Sequence, residues 1–255
     1  MNSPLYLHRM TQPDAARALA DDRTALIVVG SVEQHGPHLP LGTDAVAALA
    51  VAERAAERLH APILLLSLVG IAPYHLSWPG SLSLRPETLI ALLRDACAGL
   101  CSAGAHQILI VNWHEGNTPT LRLGADEVQR AFGCSVLIAE THVITNQLFP
   151  DEMEFTHAGA METTGVLAYE EGLVRFDRIQ DASERSQGER GHDLFRRRDV
   201  FPILRDFHDI APTGWYGDPA TASKGRADEI FERVADHVVR RAQELWEALP
   251  EGVGR

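Results

Sequence analysis

Three short stretches of this 255-residue chain hold side chains of the kind that bind metal ions. Glu33 and His35 are two residues apart. In an extended segment residues i and i+2 point the same way, so both can face one ion. Asp44 follows nine residues after His35. His114 and Glu115 lie within Asn112-Trp113-His114-Glu115-Gly116-Asn117, and His157 precedes Glu162 by five positions. Carboxylates mixed with imidazoles suit Zn2+, Mn2+ or Fe2+, not a thiolate site and not Ca2+. One carboxylate can bridge two such ions, and ions roughly 3.5–4 Å apart are a common hydrolytic arrangement. A lone His or Glu in a loop is more often a surface or capping residue; here several recur together.

The elements between these groups must carry them to one edge. Ala25 to Gly30 reads as a buried strand, apolar, rich in β-branched residues and stopped by glycine. Pro62–Val69, Gln107–Asn112 and Ser135–Glu140 read as three more strands. Between them Thr43–Leu59, Pro86–Ala103 and Thr118–Phe132 read as helices. Thr43 is the expected N-cap of the first; Pro86 opens the second and Gly104 follows its end. Ala160–Glu171 and Lys224–Leu249 read as later helices, the last stopped by Pro250. Continuous apolar strands separated by helices predict a mostly parallel central sheet covered on both faces, an α/β fold of the doubly wound type. In such sheets ligands bind beyond the carboxyl ends of the strands. The candidate groups follow strands one, three and four. The polar segment from Gly172 to Ser223, with scattered Gly and Pro, is too long for an idle connection and reads as a hairpin, an oligomer contact or a lid. With no internal repeat and no linker, residues 1–255 read as one domain.

Composition narrows the function classes. Lys and Arg number 23 against 35 Asp and Glu, a net charge of −12 that repels phosphate backbones. The one basic run, Arg196-Arg197-Arg198, is flanked by Asp193 and Asp199, so no nucleic-acid partner is expected. Three cysteines make no disulfide framework and read as reduced structural thiols. The first residues lack the basic-then-apolar pattern of a secretion signal, and no apolar run is long enough for a bilayer. The expectation is a cytoplasmic protein without a membrane partner. No Gly-x-Gly-x-x-Gly follows the first strand, which disfavours a dinucleotide enzyme.

Glu33-Gln34-His35-Gly36-Pro37-His38-Leu39-Pro40, followed by Gly42-Thr43-Asp44, resembles the signature of the creatininase family of metal-dependent amidohydrolases. Asn112-x-His114-x-Gly116-Asn117 is similar to that family's second motif, usually Asn-Gly-His-Gly-Gly-Asn. His157-Ala158-Gly159-x-x-Glu162-Thr163 is similar to its third, and Trp78-Pro79-Gly80-Ser81-Leu82-Ser83-Leu84 to a segment between them. The resemblance covers about residues 25 to 170. It implies a three-layer α/β/α domain with two divalent ions, Zn2+ first and Mn2+ or Fe2+ as alternatives. By motif position Glu33, His35, Asp44 and His114 would be ligands, with Asp44 bridging. In creatininase proper a Glu sits two residues after the second-motif His; here that place is Gly116. Other members of the family use the third-motif Glu instead, so the resemblance implies Glu162 as the fifth ligand, with Glu115 as a catalytic group that supports the ligands or faces the substrate.

The resemblance also implies a mechanism. A hydroxide activated by the ions attacks an amide carbonyl, and His157 shuttles the proton the leaving nitrogen needs. Trp78, Trp113 and His75 are the expected substrate-binding residues, and Trp113 adds bulk where the family usually has Gly. The expected substrate is a small, non-peptide amide, cyclic or linear. A peptidase of short modified peptides, a formylamide hydrolase and a non-catalytic metal-binding homologue are the alternatives. A homo-oligomer, as a hexamer, is the expected assembly.

Overall fold

The computed structural model describes residues 6–21, 23–179, 199–200 and 203–248. Four strands form one sheet: β1 (Thr24–Val29), β2 (Ile63–Ser67), β3 (Gln107–Asn112) and β4 (Ser135–Glu140). All pairings are parallel and the order is β2-β1-β3-β4. The chain leaves β1 for one neighbour and returns to pair with β3 on the other side. The carboxyl ends of β1 and β3 therefore flank the topological switch point, where such sheets open a crevice. Val29 lies opposite Asn112, so those two ends are level.

Strand residues alternate between two cores, as period-two geometry requires. Leu26, Val28, Leu109 and Val111 face one side. There they meet α2 (Thr43–Leu59), α6 (Ala160–Glu170) and α7 (Lys224–Ala248) through residues such as Ala48, Val166 and Ile230. Ala25, Ile27, Val29, Ile108 and Ile110 face the other side, against α3 (Pro86–Ser102) and α4 (Thr118–Phe132). The result is the three-layer α/β/α arrangement with a parallel sheet. Leu19 of α1 (Gln12–Asp21) joins the second core. No helix among the described residues is long and apolar enough to cross a membrane.

Several boundaries differ from the sequence reading. Thr43 is the first helical residue of α2 rather than its cap; Gly42 holds the cap position and the Thr43 hydroxyl donates to the Pro40 carbonyl at 2.7 Å. The helix α5 (Thr141–Leu148) starts directly at the end of β4, with no turn residue to announce it. Within 172–223 the described residues form 3-10 turns such as Phe207–Asp209 and Pro219–Thr221, and no hairpin. An antiparallel bridge between His157 and Tyr216 ties this segment back to the start of α6. The Arg196-Arg197-Arg198 run and the expected helix end at Leu249 lie outside the described residues.

One close approach sets the position of α2. A Cβ on Gly30, just past β1, would meet the Ala45 side chain at 2.4 Å. With glycine there, the first turn of α2 rests against the strand end and brings Asp44 beside the residues that follow β1.

Candidate metal centre

Glu33 and His35 leave β1 in extended backbone. The Glu33 N–H donates to the Leu41 carbonyl at 2.9 Å, and Val32 bridges Leu82. Glu33, His35 and Asp44 each present a ligand atom within 4.8 Å of the others. His35, His157 and Glu162 do the same, and so do Glu33, His75 and His157. Asp44 is central: its Oδ2 lies 3.7 Å from His35 Nε2 and 3.6 Å from His114 Nδ1. Glu162 Oε2 lies 3.7 Å from His35 Nε2, and Glu33 Oε2 lies 3.3 Å from His114 Nε2. All of these side chains are buried.

The electrostatics are those of buried carboxylates set among imidazoles. Glu33, Asp44 and Glu162 pair with imidazoles, and with no Lys or Arg among the described residues. Buried carboxylates without a compensating charge are costly. Burial accordingly pushes Glu33 up to about 7 and Asp44 up to about 7. Burial works to lower His35, but the Glu162 and Asp44 carboxylates outweigh it and raise it to about 10. Burial works to raise Glu162, and the facing His35 brings it down to about 2. His35 Nε2 and Asp44 Oδ2 are both buried with no hydrogen-bond partner. Two orphaned atoms facing each other across 3.7 Å, in an oxygen and nitrogen donor set, fit a divalent ion.

Outer contacts orient these donors. His35 Nδ1 donates to the Glu33 carbonyl at 3.1 Å, which turns Nε2 toward Asp44 and Glu162. His114 Nε2 donates to the Ile71 carbonyl at 3.0 Å, which leaves Nδ1 bare toward Asp44. Ser31 Oγ donates to Glu33 Oε2 at 2.6 Å. Asn117 ties the strand ends together: Nδ2 donates to the Gly30 carbonyl at 3.0 Å and to Asn112 Oδ1 at 3.1 Å, while Oδ1 accepts the Ile71 N–H at 2.9 Å. Asn112 in turn donates to the His114 carbonyl at 2.8 Å and to Glu140 Oε2 at 2.7 Å. Such outer partners fix tautomers and ring orientation.

His157 stacks on His35 with ring centroids 4.5 Å apart and is covered by Phe207 at 4.5 Å. Burial, then repulsion from His35, lowers it to about 3, so the ring is neutral. Its Nε2 lies 2.9 Å from the Gln34 carbonyl and 3.0 Å from the Gln34 amide nitrogen. A proton on Nε2 satisfies the carbonyl; a bare Nε2 accepts the amide. The ring is thus held in one orientation in either state.

The other sequence candidates fall in different places. His75 is 1% exposed, its Nε2 3.4 Å from Glu33 Oε1 and its Nδ1 3.2 Å from the Gln34 amide. It lies against both Glu33 and Gln34, in one candidate ligand group with Glu33 and His157. Trp78 stacks face to face on His208 at 4.1 Å. Trp113 belongs to the core, stacked on Phe231 of α7 at 5.5 Å, and not to a substrate pocket. Glu115 is exposed and makes no hydrogen bond or ion pair with the cluster among the described residues. Glu115 opens a 3-10 turn, Glu115–Asn117, directly after the extended His114. A Cβ on Gly116 would meet the Ile71 carbonyl at 2.3 Å and His114 Nε2 at 2.4 Å, so this backbone leaves no room for a side chain there. Gln34, Asn117, Ser31 and Phe207 were not singled out by the sequence reading. Gln34 and Asn117 stand inside the motifs, but Phe207 comes from a distant segment with no signal of its own.

A model of the family described as creatininase, creatinine amidohydrolase, matches residues 8–242. A mycofactocin precursor peptide peptidase of Mycobacterium ulcerans is 31% identical over 89% of this chain and 87% of its own. A creatinine amidohydrolase of Pseudomonas putida is 27% identical over 91% and 94%. A solved structure of a point mutant of creatininase, described as of Zn–Zn type, superposes with a TM-score of 0.77 at 25% identity, covering 98% of this chain and 100% of that one.

Proposed function

The chain belongs to the creatininase family, and from that premise we propose that it hydrolyses a C–N amide bond with two divalent ions held by Glu33, His35, Asp44, His114 and Glu162. The observation that carries the reading is the buried set of three carboxylates, without Lys or Arg partners among the described residues, around the orphaned His35 Nε2 and Asp44 Oδ2. Zn2+ is the favoured ion, with Mn2+ and Fe2+ compatible with the same donors. Bound there, divalent ions would acidify a water and polarise the amide carbonyl.

The chain's own residues do the rest. Asp44, on the first turn of α2 and equidistant from His35 and His114, is the shared carboxylate. The backbone carbonyls of Glu33 and Ile71 hold His35 and His114 in the tautomers that face it. An amide nitrogen leaves only once it is protonated. His157, neutral and held by Gln34 in both states of Nε2, takes a proton from the attacking water and returns it to that nitrogen.

The preference for a non-peptide over a peptide substrate is not supported, because relatives of both kinds match. Relatives named for cleaving a precursor peptide match at 31% identity, and the one named for creatinine at 27%. A short peptide is therefore the second reading for the same centre. The test is elemental analysis of purified protein, followed by a screen of creatinine, lactams, formylamides and short peptides with and without chelator. Hydrolysis that chelation abolishes and Zn2+ or Mn2+ restores is expected. Full activity in metal-free protein overturns the proposal.

A further inference from the structure

Among the described residues only Arg23, His60 and Ala158 are non-glycine with positive φ. Arg23 precedes β1, and His60 is the left-handed cap of α2. Ala158, with φ +54°, stands between His157 and Glu162. Left-handed alanine is disfavoured and persists where its surroundings hold it. Both peptide planes beside this residue are pinned. On one side the His157 carbonyl accepts the Tyr216 N–H at 3.0 Å, and the Ala158 N–H donates to Glu162 Oε2. On the other, the Ala158 carbonyl faces His38 Nε2 at 2.8 Å. A carbonyl can only accept, so His38 carries its proton on Nε2. Its Nδ1 is buried and has no partner, and the ring is fully buried beside Trp215 at 5.5 Å. His38 makes no ion pair with the metal cluster among the described residues.

We propose that His38 is a positioning residue of the metal centre: by holding the Ala158 carbonyl it keeps Ala158 left-handed, which aims the Ala158 N–H at Glu162 and fixes that carboxylate beside His35. The inference rests on the reading of Glu162 as an ion-binding group. Without the His38 bond, Ala158 relaxes toward negative φ, its N–H turns away, and Glu162 loses its backbone donor. The effect falls on the Glu162 half of the centre and spares the Glu33–His114 half.

The test is calorimetric titration of the ion-free full-length protein with Mn2+ alone, with near-ultraviolet circular dichroism to follow folding. Glu162→Gln identifies the binding step that needs this carboxylate. His38→Leu is expected to weaken that same step about tenfold and leave the other unchanged. His38→Gln, which keeps a donor, is expected to bind like wild type. Adding Ala158→Gly to His38→Leu is expected to restore the step, because glycine adopts positive φ without help. Unchanged binding in His38→Leu, equal loss at both steps, or a double variant no better folded and no tighter than His38→Leu overturns the inference while the metal reading stands. Wild-type protein that takes up no Mn2+, or Glu162→Gln that alters no step, sinks the metal reading and this inference together.

Discussion

Helix α2 carries two clusters of opposite character. At its start Asp44 faces His35 and His114, with neighbouring carboxylates whose basic partners among the described residues are imidazoles. Further along, Arg54 pairs with Glu232 at 2.9 Å and Asp228 at 3.3 Å, and Arg58 with Glu232 at 2.5 Å and Asp236 at 2.7 Å. The second cluster joins α2 to α7, is partly open to water, and is already balanced by two guanidinium groups. The first is buried and has no such balance. At one end α2 supplies the arginines that tie the carboxylates of α7 to it, and at the other its Asp44 joins a buried set of carboxylates to which no arginine is supplied among the described residues, the arrangement expected of a receptor for cations.

The comparison breaks most visibly at Asp44. Asp44→Ala is expected to remove bound metal and lower turnover by about three orders of magnitude or more; elemental analysis with an activity assay checks this, and a full metal complement would show that Asp44 bridges nothing. His157→Ala should separate binding from chemistry within the buried cluster. Metal is expected to remain while turnover falls about 10²–10⁴-fold, measured at saturating substrate. Gly116→Ala probes how little space this cluster has. Its Cβ must displace Ile71 or His114, so a stability loss of about 1–3 kcal/mol in denaturant unfolding is expected, together with weaker metal binding. Arg58→Ala, at the balanced end, should cost about 0.2–1 kcal/mol, less in high salt, with metal content unchanged. A large effect on metal uptake there would show that the two ends of α2 are not independent.

Much of the frame was legible in the chain. Runs such as Ala25–Gly30 and Gln107–Asn112 are apolar on both faces, and only a sheet covered on both sides buries them. Helix α4 has the bounds read from the sequence, and Gly133 closes it in the left-handed conformation. Helix α5 escaped because Thr141 continues a strand-like composition without a breaker. Trp113 packs in the core on Phe231, which its place among the motif residues did not signal. Other features had no local cause to read. The left-handed Ala158 is imposed by His38, 120 residues earlier, and the cover of His157 comes from Phe207. The place of His75 against Glu33 depends on a turn after β2 that pattern alone does not orient.

The candidate donors run from position 33 to 162, three on the connection after β1 and the others on two further segments that the fold brings beside it. No fragment of the unfolded chain can gather them, so ions that bind there favour the native state by mass action, about 2.7 kcal/mol at a hundredfold excess over Kd. Much of that gain would appear as slower opening instead of faster folding, since grips formed late in assembly act mainly on the unfolding rate. Shelf life and resistance to heat and protease would then follow the supply of trace elements, independently of whether any substrate is present.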